Sequence, residues 1–334
     1  MERLGCFFLT ARSIDDLAAR VTAAEELGFE IAGFPHIAGR DALTTLAAIG
    51  PRTSRIKLAT GIVPIFTRTP VTMAQEAGTI AEATGGRFVL GIGTGHAALV
   101  ESWHGQSFAR PLSAMRDYVT ILRALLRDAS VQHDGEQFRA AFGFLGFRPP
   151  ESIPIMIGAL GPKMLQLAGE LADGAILWLS SPRHIRDVVV PNLRAGAAAG
   201  NRSAADLSIF PCLFAAPGPD RAGARDAIRR QLIPYLTLPF YRDTLVASGF
   251  ADDLEGFAER LGVGDLPGAL SALSDRMIDS IAATGSLDEI AETLAAFVDA
   301  GATMPGVGVV GGYDGYAGPI ESLRLLRRAH ALIA

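Results

Sequence analysis

The strongest constraint on this chain is its alternation of two kinds of segment. Short apolar runs at Leu4–Leu9, Phe29–Phe34, Ile56–Ile65, Arg87–Gly93, Ile155–Gly158, Ala175–Leu179, Leu207–Ala215 and Val307–Val310 read as strands. The segments between them carry helical spacing. After the first run, Ser13 offers an N-cap, Ile14, Leu17, Val21 and Ala24 fall on one face, and Gly28 supplies the stop. Thr69-Pro70 opens another helix through Met73, Ala77 and Ile80, since Pro is tolerated at the first helical position. Asp41–Ile49, Leu112–Leu126, the segment after Gly161-Pro162, a stretch from about 182 to 199, the capping box Ser286/Glu289 and Ile320–Ile333 complete the series. Alternation of this kind predicts a parallel α/β fold. Eight strands are the number that closes a (β/α)8 TIM barrel, with an open doubly wound sheet as the competing arrangement.

A bare barrel needs roughly 250 residues, and this chain has 334. The excess is expected as loop insertions at about 131–152 and 232–283. Neither has a linker composition, so the chain reads as a single domain over 1–334. Hydrophobic residues at 49% and charged residues at 19% allow a large core and exclude bulk disorder. A net charge of -5 with no Lys/Arg run argues against nucleic acid. Apolar runs of strand length argue against a membrane span, and the N-terminus has no signal-peptide layout, so a cytoplasmic location is expected. Cys6 and Cys212 are expected to be buried free thiols. No His/Cys/carboxylate spacing suggests a metal site, and no G-x-S-x-G elbow suggests a serine hydrolase.

In a TIM barrel the active site lies at the C-terminal ends of the strands. That rule selects Pro35-His36, Gly61–Pro64, Gly93–His96, Gly158–Lys163 and Trp178–Ser181. The run Gly91-Ile92-Gly93-Thr94-Gly95 has G-x-G-x-G spacing rather than the G-x-G-x-x-G of a dinucleotide fold, so its glycines are read as letting backbone approach a ring or phosphate. Ala159-Leu160-Gly161-Pro162-Lys163 opens a helix whose free N–H groups suit an anion, beside one of only two lysines; an ordinary βα turn is the competing reading. His36 and His96 stand where proton carriers are found, and His104 is a candidate pocket residue. His133, His184 and His330 read as loop or surface residues.

Three blocks resemble the luciferase-like flavin-dependent oxidoreductases. They are Gly85–Gly95, Ala159–Leu165 continuing through Ala168–Gly174, and Gly285–Ile290 continuing to Asp299–Ala302. Trp103-His104-Gly105, Arg110-Pro111 with Met115–Tyr118, and His133–Glu136 are most similar to the branch that uses the deazaflavin coenzyme F-420, with FMN as the other cofactor of the family. The resemblance implies a cis peptide at Gly61-Ile62 behind the cofactor ring. It implies cofactor contacts from Thr94, Gly95 and His96, and from Gly158, Ala159, Leu160, Gly161, Pro162, Lys163 and Gly174, with Trp178 at the sixth strand end added to this set. It places His36 near the hydride-bearing carbon and suggests a homodimer. One departure stands out: related sugar-phosphate dehydrogenases carry an acid where His96 stands and an amide where Leu99 stands. The apolar Ala97–Val100 therefore points to a less polar ligand.

The resulting expectation is an oxidoreductase that moves a hydride between coenzyme F-420 and a small organic substrate, with His36 or His96 carrying the proton. An FMN-dependent monooxygenase and a non-catalytic cofactor-binding protein are the competing functions.

Overall fold

The structure, a computed structural model, describes residues 3–149 and 152–333. Eight parallel strands close into a barrel: β1 (Gly5–Phe7), β2 (Ile31–Phe34), β3 (Lys57–Thr60), β4 (Phe88–Gly93), β5 (Ile155–Gly158), β6 (Gly174–Trp178), β7 (Ser208–Pro217) and β8 (Gly306–Val309). Each pairs with the next, and β8 returns to β1 through Gly5↔Gly306. Closure removes the open-sheet alternative. The chain has the TIM-barrel fold.

Local chemistry explains the helix starts. Ser13 accepts from the Asp16 N–H at 3.0 Å, Thr69 from the Thr72 N–H at 3.2 Å with Pro70 behind it, and Ser286 and Glu289 complete a reciprocal capping box. The third strand is interrupted near Gly61, as its glycine and proline suggest. Ala59 is opposite Val89, whereas the next pair is Val63 with Ile92, so β3 carries one more residue than β4 over the same span. Thr60 fills the resulting gap: its hydroxyl donates to Gly91 O at 2.7 Å and accepts from Gly91 N–H at 2.8 Å. A Cβ at Gly91 would lie 2.0 Å from Thr60 O, so only glycine fits there. The Gly61-Ile62 peptide in this bulge is cis, as the resemblance implied.

The barrel interior is solid. Ile31, Ala59, Val89, Met156, Ile176 and Phe210 pack across it. Phe210 reaches the axis because Gly5 and Gly306 leave room; a Cβ at either would come within 2.7 Å of its ring. Burying a side chain of this size contributes about 1.5–3 kcal/mol, and here it also seals the lower half of the barrel. Cys6 and Cys212 are free, and burial pushes both thiols up, Cys212 to about 12.

Residues 130–144 form an antiparallel hairpin, Ser130–Asp134 with Arg139–Phe144. The expected 131–152 insertion includes residues 150 and 151, which lie outside the described residues. Asp117 pins the hairpin turn by accepting from the Gln137 and Phe138 N–H groups and pairing with His133 at 3.0 Å. Within 232–283, residues up to Leu236 finish the helix Arg221–Leu236. Four shorter helices follow (Pro239–Ala247, Ala251–Gly262, Leu266–Ala272, Asp275–Ile281). The strand Ala282–Gly285, which sequence reasoning missed, then extends the sheet beside the upper half of β7. These helices enclose a second apolar core built on Phe214, Tyr241, Leu245, Phe257 and Met277. No described helix is long and apolar enough to cross a membrane.

Candidate active site

The strand C-termini surround an apolar floor. Phe7, at the end of β1, meets Trp178, at the end of β6, edge to face with ring centroids 5.3 Å apart. Ile62 lies at the same end of the barrel, its side chain filling the space left by Gly93 and Gly158. Above this floor the barrel opens, and its two sides are built differently.

On one side, His36 follows β2. Its Nδ1 accepts the Ala42 N–H at 3.2 Å, which requires a lone pair there and places the neutral ring's proton on Nε2. Nδ1 also lies 3.6 Å from the Asp41 carboxylate. Asp41 caps the helix Ala42–Ile49 through the Thr44 N–H at 2.8 Å and pairs with Arg68, which in turn pairs with Glu76 at 3.0 Å. Burial lowers the His36 pKa from the usual 6.5, Asp41 opposes that shift, and Arg68 and His104 add to it. His104 itself is exposed but close enough to act on His36.

On the other side, His96 caps the short helix Ala97–Ser102, which replaces the apolar loop expected there. Its Nε2 lies 3.4 Å from the Tyr241 hydroxyl, and its ring packs against Phe240 and Tyr241 with centroids 5.4 and 5.8 Å away. Burial alone lowers its pKa. Tyr241 meets Tyr235 at 5.3 Å, and Tyr235 meets Trp178 at 5.6 Å, so an aromatic chain joins His96 to the floor. The Trp178 indole N–H is buried beside the Tyr235 hydroxyl without a well-formed hydrogen bond.

The turn after β5 forms a third wall. Ala159 still gives its N–H to Ile176 O at 3.2 Å. Gly161 then caps the helix Pro162–Leu171 with no side-chain oxygen, so the first N–H groups of that helix are free, and Lys163 is exposed beside them. Beneath the turn lies His184, which is buried rather than on the surface as its sequence context suggested. Its Nδ1 is 3.2 Å from Ser180 Oγ, and the ring also bonds the Leu160 backbone; burial lowers its pKa to about 4. His330 is likewise buried, against Arg327.

The structure thus gathers His36, Gly61, Ile62, Thr94, Gly95, His96, Gly158–Lys163 and Trp178 around one mouth. Gly174 is not among them. It opens β6 at the opposite end of the barrel, where a Cβ would lie 2.0 Å from Ser208 O, so strand packing accounts for that glycine. Tyr235, Phe240 and Tyr241 were missed, because they come from a segment with no strand-end signal. A separate groove of about 340 Å³, lined by Arg221, Asp279, Glu289, Glu292 and Thr293, lies on the outer wall, and Arg221 is already paired there with Asp279 and Glu289.

A barrel with a sealed base, an aromatic floor of rings packed edge to face and histidines at its rim defines the class, a TIM-barrel protein with its candidate site at the strand C-termini. The chain belongs to the luciferase-like monooxygenase family, whose profile matches residues 2–304. It is 32% identical to the 5,10-methylenetetrahydromethanopterin reductase of Archaeoglobus fulgidus over 90% of this chain and 92% of that one. It is 30% identical to a putative coenzyme F420-dependent oxidoreductase of Mycobacterium tuberculosis over 86% and 88%. The structure of the coenzyme F420-dependent tetrahydromethanopterin reductase from Methanopyrus kandleri superposes with a TM-score of 0.84 at 24% identity, covering 98% of this chain and 97% of that one.

Proposed function

We propose that this protein is an F420-dependent oxidoreductase acting on a small organic substrate of limited polarity, with His36 as its proton carrier. Similarity to the putative coenzyme F420-dependent oxidoreductase of Mycobacterium tuberculosis and to the coenzyme F420-dependent reductase of Methanopyrus kandleri supports the cofactor. The residues present fit such a group: an apolar floor of Ile62, Phe7 and Trp178, a buried indole N–H without a partner, and free N–H groups with Lys163 for an anionic tail. Ile62 and Trp178 would hold the ring, Thr94 and Gly95 its tail, and the Gly158–Lys163 turn its phosphate. When bound, the deazaflavin supplies the hydride chemistry at C5.

The observation that carries the assignment of His36 is its carboxylate. Both histidines are neutral at rest, but only His36 has an acid beside it, Asp41 at 3.6 Å, to stabilise an imidazolium. On protonation Nδ1–H turns from the Ala42 N–H to Asp41, and Nε2 is left to deliver a proton to the substrate oxygen or nitrogen. His96, with aromatic neighbours, stays neutral and orients the substrate. The apolar rim of Leu99, Phe240 and Tyr241, with no charged side chain among the described residues acting on His96, favours an uncharged reacting group.

Fluorescence titration tests the reading. Trp178 is in the mouth whereas the only other tryptophan, Trp103, is exposed, so Trp103→Phe isolates the useful signal. The expected result is saturable quenching by F420, with loss of F420 absorbance on adding an alcohol, or of reduced F420 on adding a carbonyl or imine. Quenching by FMN with no response to F420 overturns it.

A further inference from the structure

We infer that Tyr241, supplied by the helical insertion, is a positioning residue that donates its hydroxyl proton to His96 Nε2 and so fixes the proton of the neutral imidazole on Nδ1. The inference rests on the proposed reading only in giving His96 a substrate to face; the hydrogen bond itself does not depend on it.

Tyr241 is 8% exposed, and the one hydrogen-bonding group within reach of its hydroxyl among the described residues is His96 Nε2, 3.4 Å away. A buried hydroxyl that only accepted would leave its own proton unpaired, at a cost of about 1–3 kcal/mol. Donation to Nε2 satisfies it, and the ring then carries hydrogen on Nδ1, which has no protein partner among the described residues. At 3.4 Å the contact is long for a hydrogen bond, as unliganded sites often are. The ring cannot easily turn away, because Phe240 and Tyr241 pack on it and on each other, with centroids 4.5 Å apart between those two.

The titratable groups around the pair are few. Tyr235 packs on Tyr241, and burial pushes both phenols up, so each remains a neutral donor through the working pH range. No charged side chain contributes to the shift of His96. Its tautomer is therefore set by one hydroxyl. His36, whose proton is held on Nε2 by the Ala42 N–H, has the opposite assignment. The two histidines across the mouth present opposite ring nitrogens as donors.

Nitrogen–proton correlation spectra of the full-length protein labelled with 15N-histidine test this directly. The His96 signals are assigned by their loss in His96→Asn. The expected result is the Nδ1–H pattern for His96 in the wild type. In Tyr241→Phe the Nε2–H form becomes the major species and the His96 pKa moves up, because a donor that opposed protonation of Nε2 is gone. An Nε2–H pattern in the wild type, or an unchanged Nδ1–H pattern in Tyr241→Phe, overturns the inference. The wild-type spectrum decides even if the variant folds poorly. Failure to bind F420 would sink the proposed function and leave this measurement standing.

Discussion

The two sides of the barrel mouth reach the same end by different means. His36 sits in a brace of ionised groups, Asp41, Arg68 and Glu76, all from the βα segments that follow β2 and β3. His96 sits among rings, two of them brought in from the 232–283 insertion. Both imidazoles are neutral at rest, but the first can be charged with a counter-ion at hand, and the second would be charged against burial alone. On the proposed reading, proton transfer belongs on the braced side and recognition on the aromatic side. On that reading two histidines, both with lowered pKa, are given separate work by what surrounds them.

The sharpest way to break this comparison is to remove the proton carrier. His36→Ala is expected to lower kcat/KM by about 100-fold or more while F420 affinity, read by quenching, changes only a few-fold. A variant that turns over like the wild type would move the chemistry elsewhere.

The brace is tested next. The rate of substrate reduction is expected to fall as pH rises through a His36 pKa below the usual 6.5, with oxidation showing the mirror profile. Arg68→Met removes a cation that lowers this pKa, so the inflection moves to higher pH. It also leaves Asp41 and Glu76 without their shared partner, and a loss of about 1–3 kcal/mol in urea unfolding is expected. An unmoved inflection would show that Arg68 does not act on the reacting group.

Stability gives a third check, away from the brace. His184 and His330 have pKa values lowered from 6.5 to about 4, so the unfolded chain binds more protons than the folded one between those values. Stability is complete above pH 6.5 and is lost as pH falls toward 4. His184→Gln should flatten part of that slope in thermal melts taken between pH 7 and 4.5. A slope that His184→Gln leaves intact would mean His184 is charged in the folded state.

The smallest effect is expected on the aromatic side. Phe240→Ala opens the wall over His96 and should raise KM about 3- to 10-fold for an apolar substrate, the scale of a partly buried ring contact, with kcat nearly unchanged. A large loss of kcat there, against a mild one in His36→Ala, would reverse the division of labour.

Most of the barrel was legible in the sequence, because strand and helix leave different periods and each unit is closed by its own caps. The bulge at Gly61-Ile62 was legible only by resemblance, since an extra residue in one strand changes no period. The polar rim was legible because strand ends can be counted. The aromatic wall was not: Phe240 and Tyr241 reach His96, and Tyr235 backs Tyr241, across more than 130 residues of chain, by a path that no local pattern encodes. Gly174 misled for the converse reason. A glycine demanded by a neighbouring strand has the same letter as one that makes room for a ligand. His184 and His330 looked like surface residues because a polar letter in a helix gives no sign of what covers it.

Phe210, wedged against Gly5 and Gly306, gives the barrel a floor with no way through. A well of this kind has one door. Whatever is seated deepest must arrive first and leave last, so on the proposed reading a cofactor held on Ile62 and Trp178 and a substrate above it would have to queue. Initial-rate kinetics should then show a compulsory order, with excess substrate trapping the spent cofactor beneath it.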